Sequence, residues 1–278
     1  MSLIVHVPHA SNFIPQAERA GLVVDDAELR RQQHALVDHR TNELFAPLNP
    51  AITIVTAPVS RLVVDVERFR DDRDEAAAKH GMGAVYTHGV NNVPLRSKLE
   101  ASERERLLKT WYDPHHAKLN REVERLCTTG SGECILIDAH SYPLDPLPTE
   151  LSNSGAQPEI CIGAYRKWNS GIQATPNSRP EICIGADIQW SRGIEIILLF
   201  HFKEAGYEVG LNTPYKGSLV PSVVTSNPLT NTYAGFSTVM IEVRRDVYLD
   251  ADTSLPGARF THLQSTLNAL YEYLLETS

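Results

Sequence analysis

The sequence predicts an α/β fold built on buried parallel strands, and two stretches carry that expectation. Residues 134–143 read Cys-Ile-Leu-Ile-Asp-Ala-His-Ser-Tyr-Pro, an apolar run that reaches Asp138 and His140 before Pro143 breaks it. A strand buried in a parallel sheet looks like this when it delivers polar side chains at its C-terminal end. Residues 3–11, Leu-Ile-Val-His-Val-Pro-His-Ala-Ser, repeat the design. Open α/β sheets bind ligands at that edge, so two strands that each end in a histidine, His9 and His140, make a candidate metal site.

Composition narrows the function classes. With 278 residues, 42% of them hydrophobic, the chain can bury a large core, as one α/β domain or two. It has no apolar run near 18 residues and no basic-then-apolar leader, which predicts a soluble, cytoplasmic protein. A net charge of −8 argues against nucleic-acid and membrane partners, both of which need positive fields; a small anionic substrate is compatible if arginines concentrate locally. Cys127, Cys134, Cys161 and Cys183 lack CxxC spacing and read as reduced core thiols.

The elements follow in order. Strand one covers residues 3–7. Residues 25–45 favour helix, with Asp25 or Asp26 as cap and Pro47 beyond the end, which puts Asp38 and Asn42 on one helical face. Residues 51–57 are β-branched and read as a second strand. Residues 60–72 then crowd Arg61, Arg68, Arg70 and the acids Asp65, Glu67, Asp71 and Asp72 into thirteen positions, more charge than an ordinary buried strand tolerates. Residues 81–94 are loop-like. Residues 99–126 are helical in pattern, with Pro114 kinking or dividing the helix; His115 and His116 just after it face solvent or cap the kink in the commoner reading. Past the central strand, Pro-Glu-Ile-Cys-Ile-Gly-Ala occurs at 158–164 and again at 180–186. Two copies cannot make a solenoid, so we read a local duplication in which one copy joins the sheet and the other is a surface excursion. Residues 188–205 form an apolar helix ended by Gly206, residues 207–211 a short strand, and residues 212–237 a long loop of the kind that is often functional. Residues 238–246 are the last strand, and residues 256–275 an amphipathic helix with a stripe of Phe260, Leu263, Leu267, Leu270 and Leu274.

The chemistry rests on few residues. A carboxylate beside His9 and His140 would complete a three-ligand zinc site with a position left for water; Asp38 is the first choice, with Asp65 and Glu43 as competitors. Glu242 interrupts an apolar strand. Burial would raise its pKa into the range of a general base, and the competing reading is a salt bridge to Arg244, two residues along on the same face.

Taken together, Val7-Pro8-His9-Ala10-Ser11, residues 38–45, Ser60-Arg61 through Asp65 and Arg68, Ala139-His140-Ser141-Tyr142-Pro143, residues 212–217 and Glu242-Val243-Arg244-Arg245-Asp246 resemble the N-formylglutamate amidohydrolase family in order along nearly the whole chain. The resemblance implies a single domain of zinc-carboxypeptidase-like fold, with a central mixed, mostly parallel sheet flanked by helices. It also implies zinc-dependent hydrolysis of a small anionic N-acyl amino acid, in the known case N-formylglutamate to formate and glutamate at the end of histidine breakdown, by a chain that can form a homo-oligomer. Matched residue by residue, His9, Asp38 and His140 are the zinc ligands and Glu242 the base. Arg68 assists the oxyanion, and Arg61 and Arg244, with Asn212, Tyr215 and Lys216 of the loop, bind substrate. The family often has Gly after the Ser that follows its first His, and a second Asp where Asn42 stands. It shows one Pro-Asp/Glu-Ile-Cys-Ile-Gly segment followed by an acid, a pattern that the copy at 180–186 fits, which makes residues 157–179 a surface insertion. A deacylase of another N-acyl amino acid or peptide, and a metal-free binding protein for acidic metabolites, are the alternatives.

Overall fold

The computed structural model describes residues 1–128, 132–144, 179–226, 231–250 and 253–276. Six strands form one sheet: β1 (Ser2–Val7), β2 (Thr53–Thr56), β3 (Cys134–Tyr142), β4 (Ile182–Gly185), β5 (Val209–Leu211) and β6 (Phe236–Arg244). Their order is β2-β1-β3-β6-β4-β5. Every pairing is parallel except β4 against β6, so the sheet is mixed and mostly parallel, as expected. The copy of the duplicated segment at 180–186 supplies β4. The copy at 158–164, and the expected insertion up to residue 178, lie outside the described residues.

Alternation along the strands assigns the two faces, because side chains of a strand point to opposite sides with a period of two. Leu3, Val5 and Val7 of β1, Ile135, Ile137 and Ala139 of β3, and Val239, Ile241 and Val243 of β6 share one apolar cluster with Leu198 and Phe202 of the helix Ile194–Glu204 and Leu263, Leu267, Leu270 and Leu274 of the helix Phe260–Glu276. The even positions face the helix Asp113–Thr128, where Ile4, Cys134, Leu136 and Phe236 meet Leu119, Val123 and Leu126. Toward the C-terminal ends of the strands this second face turns polar, with His6, Asp138, His140 and Glu242. Burying apolar side chains stabilises by roughly 25 cal/mol per Å², so the odd face and the start of the even face hold the sheet while its end is left for chemistry. Cys127, Cys134 and Cys183 are buried free thiols, as expected; Cys161 lies outside the described residues. Among the described residues no helix is long and apolar enough to cross a membrane.

Three helices depart from expectation. The helix expected over 25–45 stops at Leu36, with Val37 extended, and resumes at Thr41 after Arg40 adopts a φ of 60°. Asp38 therefore sits in the break rather than on a helical face with Asn42. The helix expected over 188–205 is two, Ile188–Ser191 and Ile194–Glu204, parted by Arg192 and Gly193, both with positive φ; it ends before Gly206 as expected. Pro114 does not divide its helix. The segment Ala101–Leu107 runs into a π-helical turn at Leu108–Tyr112 and on into Asp113–Thr128, and the wider turn accommodates a residue that cannot donate a backbone hydrogen bond. His115 then turns inward and is 4% exposed, instead of capping a kink. Strand ends shift by two residues or fewer, and the loop 212–237 carries a short helix, Ser222–Thr225.

The loop after β5 closes against β4 through a glycine. A Cβ on Gly185 would collide with the backbone oxygen of Gly217 and the side chain of Met240. We expect Gly185→Ala to lower stability by about 1–3 kcal/mol, the usual cost of overpacking; an unchanged urea midpoint would contradict this packing.

Candidate functional site

Register brings the polar positions together. His140 of β3 lies opposite Glu242 of β6, and Asp138 opposite His6 of β1. His9 follows β1 across Pro8, a residue that cannot continue a central ladder. Asp38 arrives from the broken helix, fixed where its backbone N–H donates to the His9 carbonyl (3.0 Å). His9, Asp38 and His140 are all buried, and one potential ligand atom of each lies within 4.8 Å of the others.

Each histidine of this group is held from behind by a buried carboxylate. His9 Nε2 is 2.8 Å from Asp65 Oδ1, and His140 Nε2 is 3.2 Å from Asp138 Oδ1. Both Nδ1 atoms turn to Asp38 Oδ2, at 3.6 Å from His9 and 3.3 Å from His140. A carboxylate on the far nitrogen fixes the tautomer and orientation of a metal-binding imidazole. Burial alone would raise the Asp38 carboxyl, but the hydrogen bond from His140 and the nearby imidazole of His9 carry it well below the usual range. Burial would lower His140, yet the charge of Asp138 and the bonds to both aspartates hold it well above an ordinary imidazole. A cation on Nδ1 would replace the proton that this environment retains.

The two competitors for the third ligand position are placed elsewhere. Asp65 faces His9 Nε2 and also accepts from Arg61 Nε and Nη2 (3.0 and 2.7 Å) and Tyr86 Oη (2.6 Å). Glu43 is exposed and pairs with Arg40 at 2.7 Å.

Glu242 is 8% exposed, and its Oε2 is buried without a hydrogen-bond partner. Arg244 pairs instead with Asp246 at 2.7 Å and donates to the Arg179 carbonyl, so the expected alternative of a Glu242–Arg244 bridge is absent. Burial, opposed by His140 and reinforced by Asp38 and Asp138, pushes the Glu242 carboxyl up to about 8. The arginine that reaches the site from this segment is Arg245, whose Nη2 lies 3.3 Å from Asp38 Oδ1 and whose Nη1 donates to the Ala35 carbonyl at 2.9 Å. Strand parity favoured Arg244, but β6 ends there and a helical turn, Arg245–Tyr248, swings the next side chain round.

The remaining expected residues differ in how committed their donors are. Arg61 is engaged by Asp65 and the Leu36 carbonyl. Arg68 makes only long ion pairs, 3.7 Å to Asp65 and 3.7 Å to Glu75, and its buried Nε has no hydrogen-bond partner. In the loop, Asn212 accepts from the backbone of Ala186 and Gly217 (2.9 and 3.3 Å). Tyr215 packs edge-on against Tyr142, two residues beyond His140, and Lys216 is exposed.

The family model for N-formylglutamate amidohydrolase matches residues 1–249. A crystal structure of an N-formylglutamate amidohydrolase from Ralstonia eutropha JMP134 superposes with a TM-score of 0.74 at 22% identity, over 100% of this chain and 93% of that one. A gene product from Agrobacterium tumefaciens superposes with a TM-score of 0.64 at 20% identity, over 99% and 92%. These two likenesses establish the fold. No significant match is found among curated proteins.

If Asp65 orients His9 as a ligand, Asp65→Asn should weaken divalent-cation binding by about 10–100-fold in chelator competition. Unchanged affinity in the folded variant would remove Asp65 from the site.

Proposed function

Because the chain belongs to the N-formylglutamate amidohydrolase family, we propose that it hydrolyses the amide bond of a small anionic N-acyl amino acid, N-formylglutamate giving formate and glutamate. The observation that carries this reading is Glu242, a buried carboxylate with an unpartnered oxygen, in register with His140. Family membership supports a cytoplasmic role at the end of histidine breakdown.

The residues fit zinc. His9, Asp38 and His140 offer two imidazoles and a carboxylate, His9 Nδ1 is buried without a hydrogen-bond partner, and three such ligands with one open position are typical of catalytic zinc. When bound, zinc supplies Lewis-acid polarisation of the acyl carbonyl and brings the pKa of water toward about 7.

The chain's own groups perform the proton transfers. Glu242 accepts a proton from the attacking water as the C–O bond forms, then delivers it to the amide nitrogen as the C–N bond breaks, so formate leaves as the acid fragment and glutamate as the amine. Arg68, with a buried Nε not spent on any hydrogen bond, would steady the oxyanion, as preorganised donors do. Arg61 and Arg245 hold Asp65 and Asp38. Arg244, Asn212, Tyr215 and Lys216 are proposed, on the family resemblance, to meet the second carboxylate of glutamate.

Glu242→Gln keeps size but cannot accept a proton, so formate release from N-formyl-L-glutamate should fall by about 10² to 10⁴ with zinc content and melting temperature retained. Near-normal turnover would remove Glu242 from the mechanism. The sign of the pH dependence follows from the same group: the base works only when ionised, so kcat/KM should fall as pH drops through the Glu242 pKa, and a pH-independent acid limb would contradict its role. Parallel assays with N-acetyl and N-succinyl amino acids decide the acyl group; hydrolysis of these and not of the formyl substrate would overturn the formyl assignment.

A further inference from the structure

Behind His140 lies a second convergent group, two of whose members, His6 and Glu67, the hydrolysis leaves unused. We propose that His6, Glu67 and Asp138 bind a second divalent cation. His6 Nδ1 is 2.9 Å from Asp138 Oδ1 and 3.2 Å from Glu67 Oε1, and these ligand atoms all lie within 4.8 Å of one another. One imidazole with two carboxylates suits zinc or manganese.

Three observations favour a cation over a simple hydrogen-bonded cluster. First, two carboxylates converge on His6 Nδ1, one nitrogen that can offer at most one N–H, and Glu67 Oε1 is buried with no hydrogen-bond partner. Second, the positive groups around Glu67 are committed: Arg61 is bonded to Asp65, and His140 lies between Asp38 and Asp138. A carboxylate oxygen buried without a partner is costly, and a dication held between Glu67 and Asp138 would supply the partner that Glu67 Oε1 lacks. Third, His6 Nε2 is 2.8 Å from Nε2 of buried His115. With the Nε2–H of His6 donated there, the Nδ1 lone pair is free for metal, the same arrangement of a far-side partner seen at His9 and His140.

Asp138 joins the two groups, because its Oδ1 meets both His6 Nδ1 and His140 Nε2. An ion on Asp138 would thus fix the carboxylate that orients His140, so the second ion acts as a positioning element for the first site. The mid-strand histidine and Glu67, which sits two residues after Asp65, have no other assignment in the reaction.

The test is metal stoichiometry. Full-length protein stripped of metal is saturated with Zn²⁺, and separately with Mn²⁺, desalted, and measured by inductively coupled plasma mass spectrometry. The wild type should hold two ions per chain, and Glu67→Gln and His9→Ala one each. Glu67→Gln is near-isosteric and removes a buried charge; should it fail to fold, His6→Asn carries the same expectation. One ion in the saturated wild type that Glu67→Gln retains, or two ions in Glu67→Gln, would overturn the proposal. The inference takes from the proposed function only that the other ion sits at His9, Asp38 and His140. A single ion lost in His9→Ala and kept in Glu67→Gln would leave that function standing and sink this site, whereas an ion lost in Glu67→Gln and kept in His9→Ala would do the reverse.

Discussion

The molecule depends on the period-two geometry of three adjacent parallel strands, β1, β3 and β6. In each, odd positions enter an apolar core and even positions end in polar groups. A slip of one residue in β3 would drive Asp138 and His140 into the face filled by Leu198, Phe202 and Leu267, and bring Ala139 to the site. The apolar face therefore fixes the register of the polar face, since a strand with one strongly buried side has its register strongly specified. Stability and chemistry are separated by side of the sheet and by distance along it.

Electrostatics explains the rest of the local architecture. Asp38, Asp65, Asp138 and Glu242 are each under a tenth exposed, and taking an ionised group out of water costs several kcal/mol unless it is paired. Asp65 is answered by Arg61, His9 and Tyr86, Asp38 by Arg245, His140 and the Ser141 N–H. Glu242 Oε2 and Glu67 Oε1 are left unanswered. The imbalance is local, with Glu242 opposite His140 and Glu67 beside His6, and a site that binds a cation needs such an excess.

The strands, and the polar positions His9, His140 and Glu242 at or beyond their ends, could be read from the sequence because apolar runs ending in a polar residue are short-range signals, whereas Asp38 was picked from a helix that the structure breaks. What escaped was long-range. Nothing local stops the helix at Leu36: no glycine or proline lies between Leu36 and Thr41, and the break is held by the bond from the Asp38 N–H to the His9 carbonyl. Arg245 was hidden by the turn that ends β6. Asp65 was weighed as a competitor for the third ligand position, whereas its carboxylate meets His9 Nε2 and not the Nδ1 that faces Asp38. His115 escaped because a π-helical turn changes the face it presents. His6 was visible as an even-position imidazole in an apolar strand, a signal that means little until Asp138 and Glu67 are seen beside it.

The central claim is that His9, Asp38 and His140 form a ready cation site beside Glu242. Anomalous diffraction at the zinc absorption edge, from crystals grown with saturating zinc, tests it most directly. The account predicts a peak bounded by His9 Nδ1, Asp38 Oδ2 and His140 Nδ1. Zinc-saturated crystals with no peak there, and these three side chains still bonded to one another, would contradict it.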